Sequence, residues 1–576
     1  MNYPKLRVLQ NSRQMVDTFK GYNHNLRISD GEFYDMKNMT SDCYPVLSPR
    51  KGRGVYASPA CPTGLIAKDS LCYVDGSDFV MNEYHIDMGL SDEPKQLVSM
   101  GAYVIILPDK KYINTANIAD RGNIEAEFTT NGSTSFTLCK LDGSGYGEYP
   151  ASPNEPSDPE NMALWVDTSS EPHALKQYSE SAGMWVSVPT TYVKITSPGI
   201  DEAFEQFDGI KISGLEETAV ASLEGSAVVW EKGDDYIVVV GILDTGAEVD
   251  TPITITRKMP NMDFVIESEN RLWGCRYGDS VDGKIVNEIY ASKLGDFKNW
   301  NCFMGLSTDS YVASCGTDGQ FTGAITHMGY PLFFKENFVH KVYGNYPSNY
   351  QIQTTACRGV QKGCEKSLAI VNETLFYKAR SGIVAYDGSL PTEASYALGN
   401  EAYSDAVGGS HGNKYYVSMK DVKDTYHLFV YDMGKGLWHK EDNLRADCFC
   451  SCRGELYAIN GNNIITMLGS GVEDPADVEW MVQTGEIGIS SPDMKYISRL
   501  TVRLMLEPKA QAAFYVQYDW SEEWEYLFTL TGNNLRSFSI PIRPKRCDHM
   551  KLRVEGVGMG KIYSFTKTIE QGSELS

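Results

Sequence analysis

Three cysteines alternate at Cys448, Cys450 and Cys452, so on an extended chain their thiols project to one face. Thiolates are soft zinc ligands, but residues two apart on a flat strand have Cα atoms about 7 Å apart, and the turn that structural zinc sites use is absent. The triplet therefore reads as small buried residues on a strand. Cys357 and Cys364 flank a glycine-containing turn, and a disulfide between them would require an oxidising environment. The 13 cysteines are odd in number and scattered, as expected of free thiols in a chain folded in a reducing cytosol. The nine histidines include no His-Glu-x-x-His pair. His439 beside Trp438 and His549 beside Asp548 read as packed or surface side chains. No metal site and no cofactor is expected.

Glycoside hydrolysis needs two carboxylates facing each other across a sugar. With 75 acidic residues, carboxylates alone select no pair, and the sialidase repeat Ser-x-Asp-x-Gly-x-Thr-Trp does not occur. The run Gly408-Gly409-Ser410-His411-Gly412 lacks the Gly-Lys-Ser/Thr that ends a phosphate-binding loop and reads as a turn. Two basic clusters stand out, Arg50-Lys51-Gly52-Arg53 and Arg543-Pro544-Lys545-Arg546. A net charge of −23 disfavours a surface that grips phosphates, which needs clustered Lys and Arg. Arg50, Lys51, Arg53, Arg543, Lys545 and Arg546 could touch DNA or dock onto an acidic neighbour, and docking is the expectation. No catalytic residue emerges, and the expectation is that the chain is not an enzyme.

The elements that must position these residues are strands. Apolar residues make up 42% of the chain, Tyr and Gly number 35 and 52, and apolar runs are short, which together point to all-β structure with many tight turns. An apolar-aromatic pair after a polar turn recurs at Leu272-Trp273, Leu332-Phe333, Leu375-Phe376, Tyr415-Tyr416 and Leu456-Tyr457, at intervals of 60, 43, 40 and 41 residues. A four-stranded propeller blade repeats every ~40–45 residues. With the upstream segments around Leu71–Val74 and Tyr103–Leu107, this predicts a β-propeller of six or seven blades. The expected division is residues 1–120 for the N-terminal segment and first blades, 121–262 for an inserted β-domain, 263–475 for the remaining blades and 476–576 for a C-terminal β-sandwich or jelly-roll-like domain. The insert carries the Pro-rich passage GSGYGEYPASPNEPSDPENM. The C-terminal region alternates Leu500, Val502, Leu504 and Leu506 with more polar neighbours.

The stretch from Gly21 to Gly54 leads into all of this. Ser29 and Glu32 stand at capping-box spacing, and Phe33 and Met36 lie three apart, predicting about two turns of helix. Its pattern, G-x-N-x4-I-x-D-G-E-x2-D-M-x-N-M-x2-D-x-Y-P-x-L-x2-R, resembles the opening of tail nozzle proteins of short-tailed bacteriophages, also called packaged-DNA stabilisation or tail tubular proteins. GAITHMGYPLFFKENFVHKVYGNYP, SGIVAYDG, HLFVYDMGKGLWHKE and PIRPKRCDHMKLRVEGVG extend the resemblance over the blades and C-terminal part, leaving the insert uncovered. The resemblance implies a structural virion protein made in the bacterial host cytoplasm. It would form a ring, a hexamer, that continues the DNA channel below the portal, retains packaged DNA and passes it at ejection. Its implied partners are further copies of itself, head-tail connector or adaptor proteins, tail fibre or spike proteins, and double-stranded viral DNA in transit without sequence-specific binding; direct membrane insertion is not expected. The alternative is a receptor- or glycan-binding tail protein on a propeller scaffold, and a propeller hydrolase rests on fold analogy alone.

Overall fold

A computed structural model describes residues 11–216, 218–279, 283–469, 478–490 and 494–571. The protein is an all-β propeller protein. Seven groups of four strands follow one another as blades: residues 62–87, 96–123, 264–314, 323–356, 369–393, 404–440, and 448–466 completed by an early strand; six are separate sheets, while 404–440 continues through Gly21–Tyr22 into the 13-stranded sheet of the C-terminal strands. That early strand is Gly54–Ala57, which pairs antiparallel with Asn463–Thr466 and so supplies the fourth strand of the last blade. The five apolar-aromatic pairs each fall on the second strand of a blade, at Arg271–Asp279, Tyr330–Lys335, Thr374–Ala379, Lys414–Lys420 and Glu455–Asn460. Their preceding turns hold residues of positive φ, such as Glu269 and Asn270 at 51° and 58° and Arg453 and Gly454 at 49° and 80°, the backbone that two-residue hairpins require. The one long interval arises between Ile285–Ala291 and Tyr311–Ser314. There the buried Arg271 guanidinium donates to the carbonyls of Ser292, Ser307 and Asp309 and holds a long loop against its blade.

The chain divides into two compact units, one of Met1–Lys95, Phe333–Val339 and Thr354–Ser576 and a second of Gln96–Leu332 and His340–Gln353. In the first, successive blades pack face to face: Leu65 and Leu71 meet Cys452, Ile459 and Ile464, and Tyr416, Leu428 and Val430 meet Leu456 and Ala458. Each such side chain, fully buried, contributes about 1.5–3 kcal/mol. Cys448 and Cys450 join the first of these layers as packing residues. All 13 cysteines are free thiols, and among the described residues no cluster of metal ligands forms. Gly408 to His411, expected as a turn, lie in the strand Ser404–His411. A Cβ at Gly408 would stand 2.5 Å from the Ser367 carbonyl oxygen and one at Gly409 2.4 Å from the Phe449 Cβ, so close approach explains the glycines.

In the second unit, the strands between residues 126 and 257 pair only with one another among the described residues, in an eight-stranded and a four-stranded sheet. Phe136, Ile195, Ile210, Val229 and Ile255 lie in their common core. Arg121–Asn123, placed in the insert by its expected boundary, is instead the last strand of the second blade.

The C-terminal strands belong to the first unit. The 24-residue strand Lys495–Tyr518 pairs with Gly560–Gln571 along its first half and with Met550–Val557 along its second. Its outer side carries Glu525–Ile540. This sheet also takes strands from the start of the chain: Asn11–Val16 pairs with Gly560–Gln571, and Glu32–Lys37 pairs with Glu479–Thr484. The C-terminal region is thus built from both ends of the sequence. No described helix is long and apolar enough to cross a membrane.

Candidate functional site, the N-terminal clasp

The helix expected from Ser29 to Met36 is a tight turn followed by the strand Glu32–Lys37. Half of the capping-box bonding survives on this turn, since the Ser29 amide donates to Glu32 Oε2 at 2.6 Å. Phe33 and Met36 are both buried although a regular strand would send residues three apart to opposite faces. A register shift between Phe33 and Asp35 inserts an extra residue and restores the face. The spacing of three therefore mimicked a helix, and the bulge is the reason.

The polar residues of this opening segment are consumed in joining it to the sixth blade and the C-terminal strands. Asp30 accepts from Lys567 Nζ at 2.7 and 2.9 Å, and Asp35 from Lys440 Nζ at 3.0 Å. Asn38, at φ 55°, donates to the Glu479 carbonyl and accepts from Arg50 Nε at 2.9 Å. Ser41 donates to Asp432 Oδ2, and Lys414 bridges Thr40 and Asp42. Gly21, at φ 83°, lies against the Trp438 carbonyl oxygen, 2.3 Å from where a Cβ would stand.

Arg50 and Arg53, expected on a docking surface, are turned inward. Arg53 donates through Nη1 to Asp442 Oδ2 at 2.6 Å and through Nη2 to Glu441 Oε2 at 2.5 Å. Arg50 stands 3.9 Å from Glu441 and 3.6 Å from Asp442. Burial works against the Arg53 charge, and Asp442 and Glu441 outweigh it, holding the guanidinium above its ordinary value. Burial likewise raises Glu441 against the pull of Arg53. Beside these pairs lies a cavity of about 640 Å³ whose lining includes Asp42, Lys51, Lys414, Asp432 and Lys435. Asp432, penalised by burial, is still held below its ordinary value by Ser41 and Lys435. Lys51 alone of the first basic cluster is exposed. Arg543, Lys545 and Arg546 are exposed on a separate stretch, where Lys545 pairs with Glu525 and lies 5.1 Å from the Tyr518 ring centroid.

The clasp can lock the chain's beginning to its end; its charged groups are bonded to one another rather than aimed at a reacting atom. Sequence reasoning missed Glu441, Asp442, Lys414, Lys440 and Lys567, which pair across 372 to 537 positions. The Lys440-Glu441-Asp442 run was the signal, charged residues at and just beyond the end of the strand Leu437–Lys440, which carries the buried Trp438 indole.

No family model and no curated protein matches the chain. Solved structures do. An exo-β-1,3-galactanase from Phanerochaete chrysosporium with galactose matches at 8% identity over 53% of this chain and 94% of its own, with a TM-score of 0.21. A GH43 glycoside hydrolase engineered for endo-xylanase and exo-arabinofuranosidase activity matches at 9% over 54% and 96%, TM-score 0.20. The acylaminoacyl peptidase of Pyrococcus horikoshii matches at 9% over 50% and 49%, TM-score 0.23. Likeness at this level concerns fold and assigns no activity. It does correct one expectation: these structures are enzymes, so the statement that the chain is not an enzyme is withdrawn.

Proposed function

We propose that the chain is an assembly protein of a bacteriophage tail, a ring-forming nozzle that continues the DNA channel and docks connector and fibre proteins. The opening motif that carries the family resemblance is used, residue by residue, to clasp the scaffold, as an architectural signature would be. The observation that carries assembly is the strand Glu525–Ile540. It runs for 16 residues with Lys495–Tyr518 as its one neighbour among the described residues. It contains no proline, and Glu525 and Arg536 are its only charges. Soluble proteins shield such edges with charge, proline or brevity; an unshielded one is a pairing surface. Trp520, 85% exposed, Tyr526 and Leu535 are exposed at or beside it. Tyr526→Lys with Leu535→Lys places charge on the edge. Sedimentation and negative-stain imaging of the full chain are expected to show rings for the wild type and monomers for the variant. A wild type that stays monomeric alone and with its connector ring overturns the reading.

A second reading, a glycan-binding tail protein, has its own observation in the small sheet of the insert. Trp185, half-buried, packs on Trp165 and Tyr178 with centroids 5.4 and 5.5 Å away, between exposed Met184 and Val186. Indole faces at a surface suit the apolar faces of sugars. Retention of the full chain, but not Trp185→Ala, on host cell-wall polysaccharide is the expected result; equal retention of both removes this reading.

A further inference from the structure

We infer that a polar cavity beside the fifth blade is a binding site for a small oxyanion, phosphate or carboxylate, held by Lys378 and Arg380. Lys378 is on the strand Thr374–Ala379 and is 3% exposed. Its ammonium donates to Gln361 Oε1 and to the Ala379 carbonyl, each at 2.7 Å. An ammonium has three donors, and both of these acceptors are neutral. No carboxylate lies within ion-pairing distance among the described residues, in contrast to Lys567, Lys440 and Lys414, which each meet an aspartate. A buried cation without a counter-charge is strongly disfavoured by desolvation. Burial accordingly holds Lys378 below the ordinary lysine value.

Lys378 lines a cavity of about 180 Å³, room for a few waters at ~30 Å³ each or for one phosphate or small carboxylate. Arg380, exposed and without an ion pair among the described residues, lines it too, as do Tyr403, Ser381, whose Oγ accepts from Arg358 Nη1, and Ser395, whose Oγ donates to Glu393 Oε1. The shape is actively kept. A Cβ at Gly382, φ 146°, would stand 2.1 Å from Ser395 Oγ, so the glycine lets that hydroxyl approach the cavity wall. Glu401 is the carboxylate of the lining; it is exposed, and its Oε1 lies 3.7 Å from His24 Nε2. The buried ammonium, whose two described acceptors are both neutral, and the planar guanidinium of Arg380 form a pair of cationic donors suited to an oxyanion, while Glu401 lies beside His24.

The test is titration of the full chain with inorganic phosphate and, separately, with acetate and galacturonate, followed by calorimetry and by thermal shift. Saturable binding of at least one anion in the millimolar range or tighter is expected, with a rise in Tm. Lys378→Met is expected to weaken it at least about ten-fold, and Arg380→Gln several-fold. Preference for phosphate over the carboxylates identifies a phosphate source, and the reverse a sugar-acid source. Arg380→Gln alters an exposed side chain and keeps the test decisive if Lys378→Met folds poorly. Absence of saturable binding in the wild type, or binding unchanged in Arg380→Gln, overturns the inference.

Discussion

Two residues show how burial turns charge into architecture. Arg53 and Glu441 are both almost fully buried, at 10% and 7% side-chain exposure. Removing one partner of such a pair leaves the other charged and desolvated, at a cost of about 3–5 kcal/mol, whereas replacing both by apolar groups is often neutral. Arg53→Met is therefore expected to lower stability by about 3 kcal/mol, the remaining Arg50 softening the loss. Arg53→Met with Glu441→Met should recover most of it, and Lys51→Met, on an exposed side chain, should stay within about 0.5 kcal/mol. Urea unfolding of the three variants checks the set. His439 acts through pH. Burial, reinforced by Lys414, pushes its imidazole down to about 3, far below the ~6.5 of an unfolded chain. The native state keeps it neutral while the unfolded state gains a proton, so its contribution is full above pH ~6.5 and is lost progressively as pH falls toward the folded value. One proton corresponds to about 1.4 kcal/mol per pH unit. His439→Gln should flatten the stability profile between pH 6 and 4 by about that slope; an unchanged slope would show that His439 titrates normally.

Among the elements, the blades were readable in sequence because a propeller repeats one local pattern. Each apolar-aromatic pair sits on a second strand, and each turn before it announces itself with Asn, Gly or a charged residue. The clasp was misread because its periodicity is set by a bulge, and nothing local distinguishes Phe33 and Met36 on a bulged strand from the same pair on a helix. Its partners were invisible for another reason: Lys440, Glu441 and Lys567 acquire meaning only through tertiary pairing. Gly21 offers a test of the clasp. Its left-handed backbone and its contact with the Trp438 carbonyl leave no room for a side chain. Gly21→Ala should cost more than about 1–3 kcal/mol, the range for local backbone strain alone. Because Tyr22 pairs with Trp438 and Gly21 with Glu32, the strain falls on the clasp first. Limited proteolysis is expected to cut within residues 17–54 in the variant while the later blades resist; cleavage spread evenly over the chain would mean that the clasp is no separate unit of stability.

At the scale of the whole molecule, the charge of −23 opposes any association of copies. Repulsion between like-charged surfaces is screened over ~10 Å at 0.1 M salt and reaches ~30 Å at 0.01 M. If copies join through the edge Glu525–Ile540, hydrogen bonds between backbones supply a salt-insensitive attraction, and salt acts mainly by relieving repulsion. Assembly should therefore increase when NaCl is raised from about 0.02 to 0.2 M. The exposed cations Arg543, Lys545 and Arg546 lie on the stretch whose Lys545 already pairs with Glu525, the first residue of that edge. They place positive charge where a strongly acidic neighbour would approach. Reversing all three to Glu should abolish assembly at low salt, restore it in part at high salt, and leave the thermal unfolding midpoint nearly unchanged because the side chains are exposed. Binding of the same proteins to double-stranded DNA separates this from a nucleic-acid role, since phosphate contacts weaken steeply with salt. The expected result is weak DNA binding in wild type and variant alike at 0.02 M salt, with only assembly affected. Tight DNA binding by the wild type that vanishes in the triple variant, with assembly intact, would reassign Arg543, Lys545 and Arg546 from neighbouring copies to the DNA.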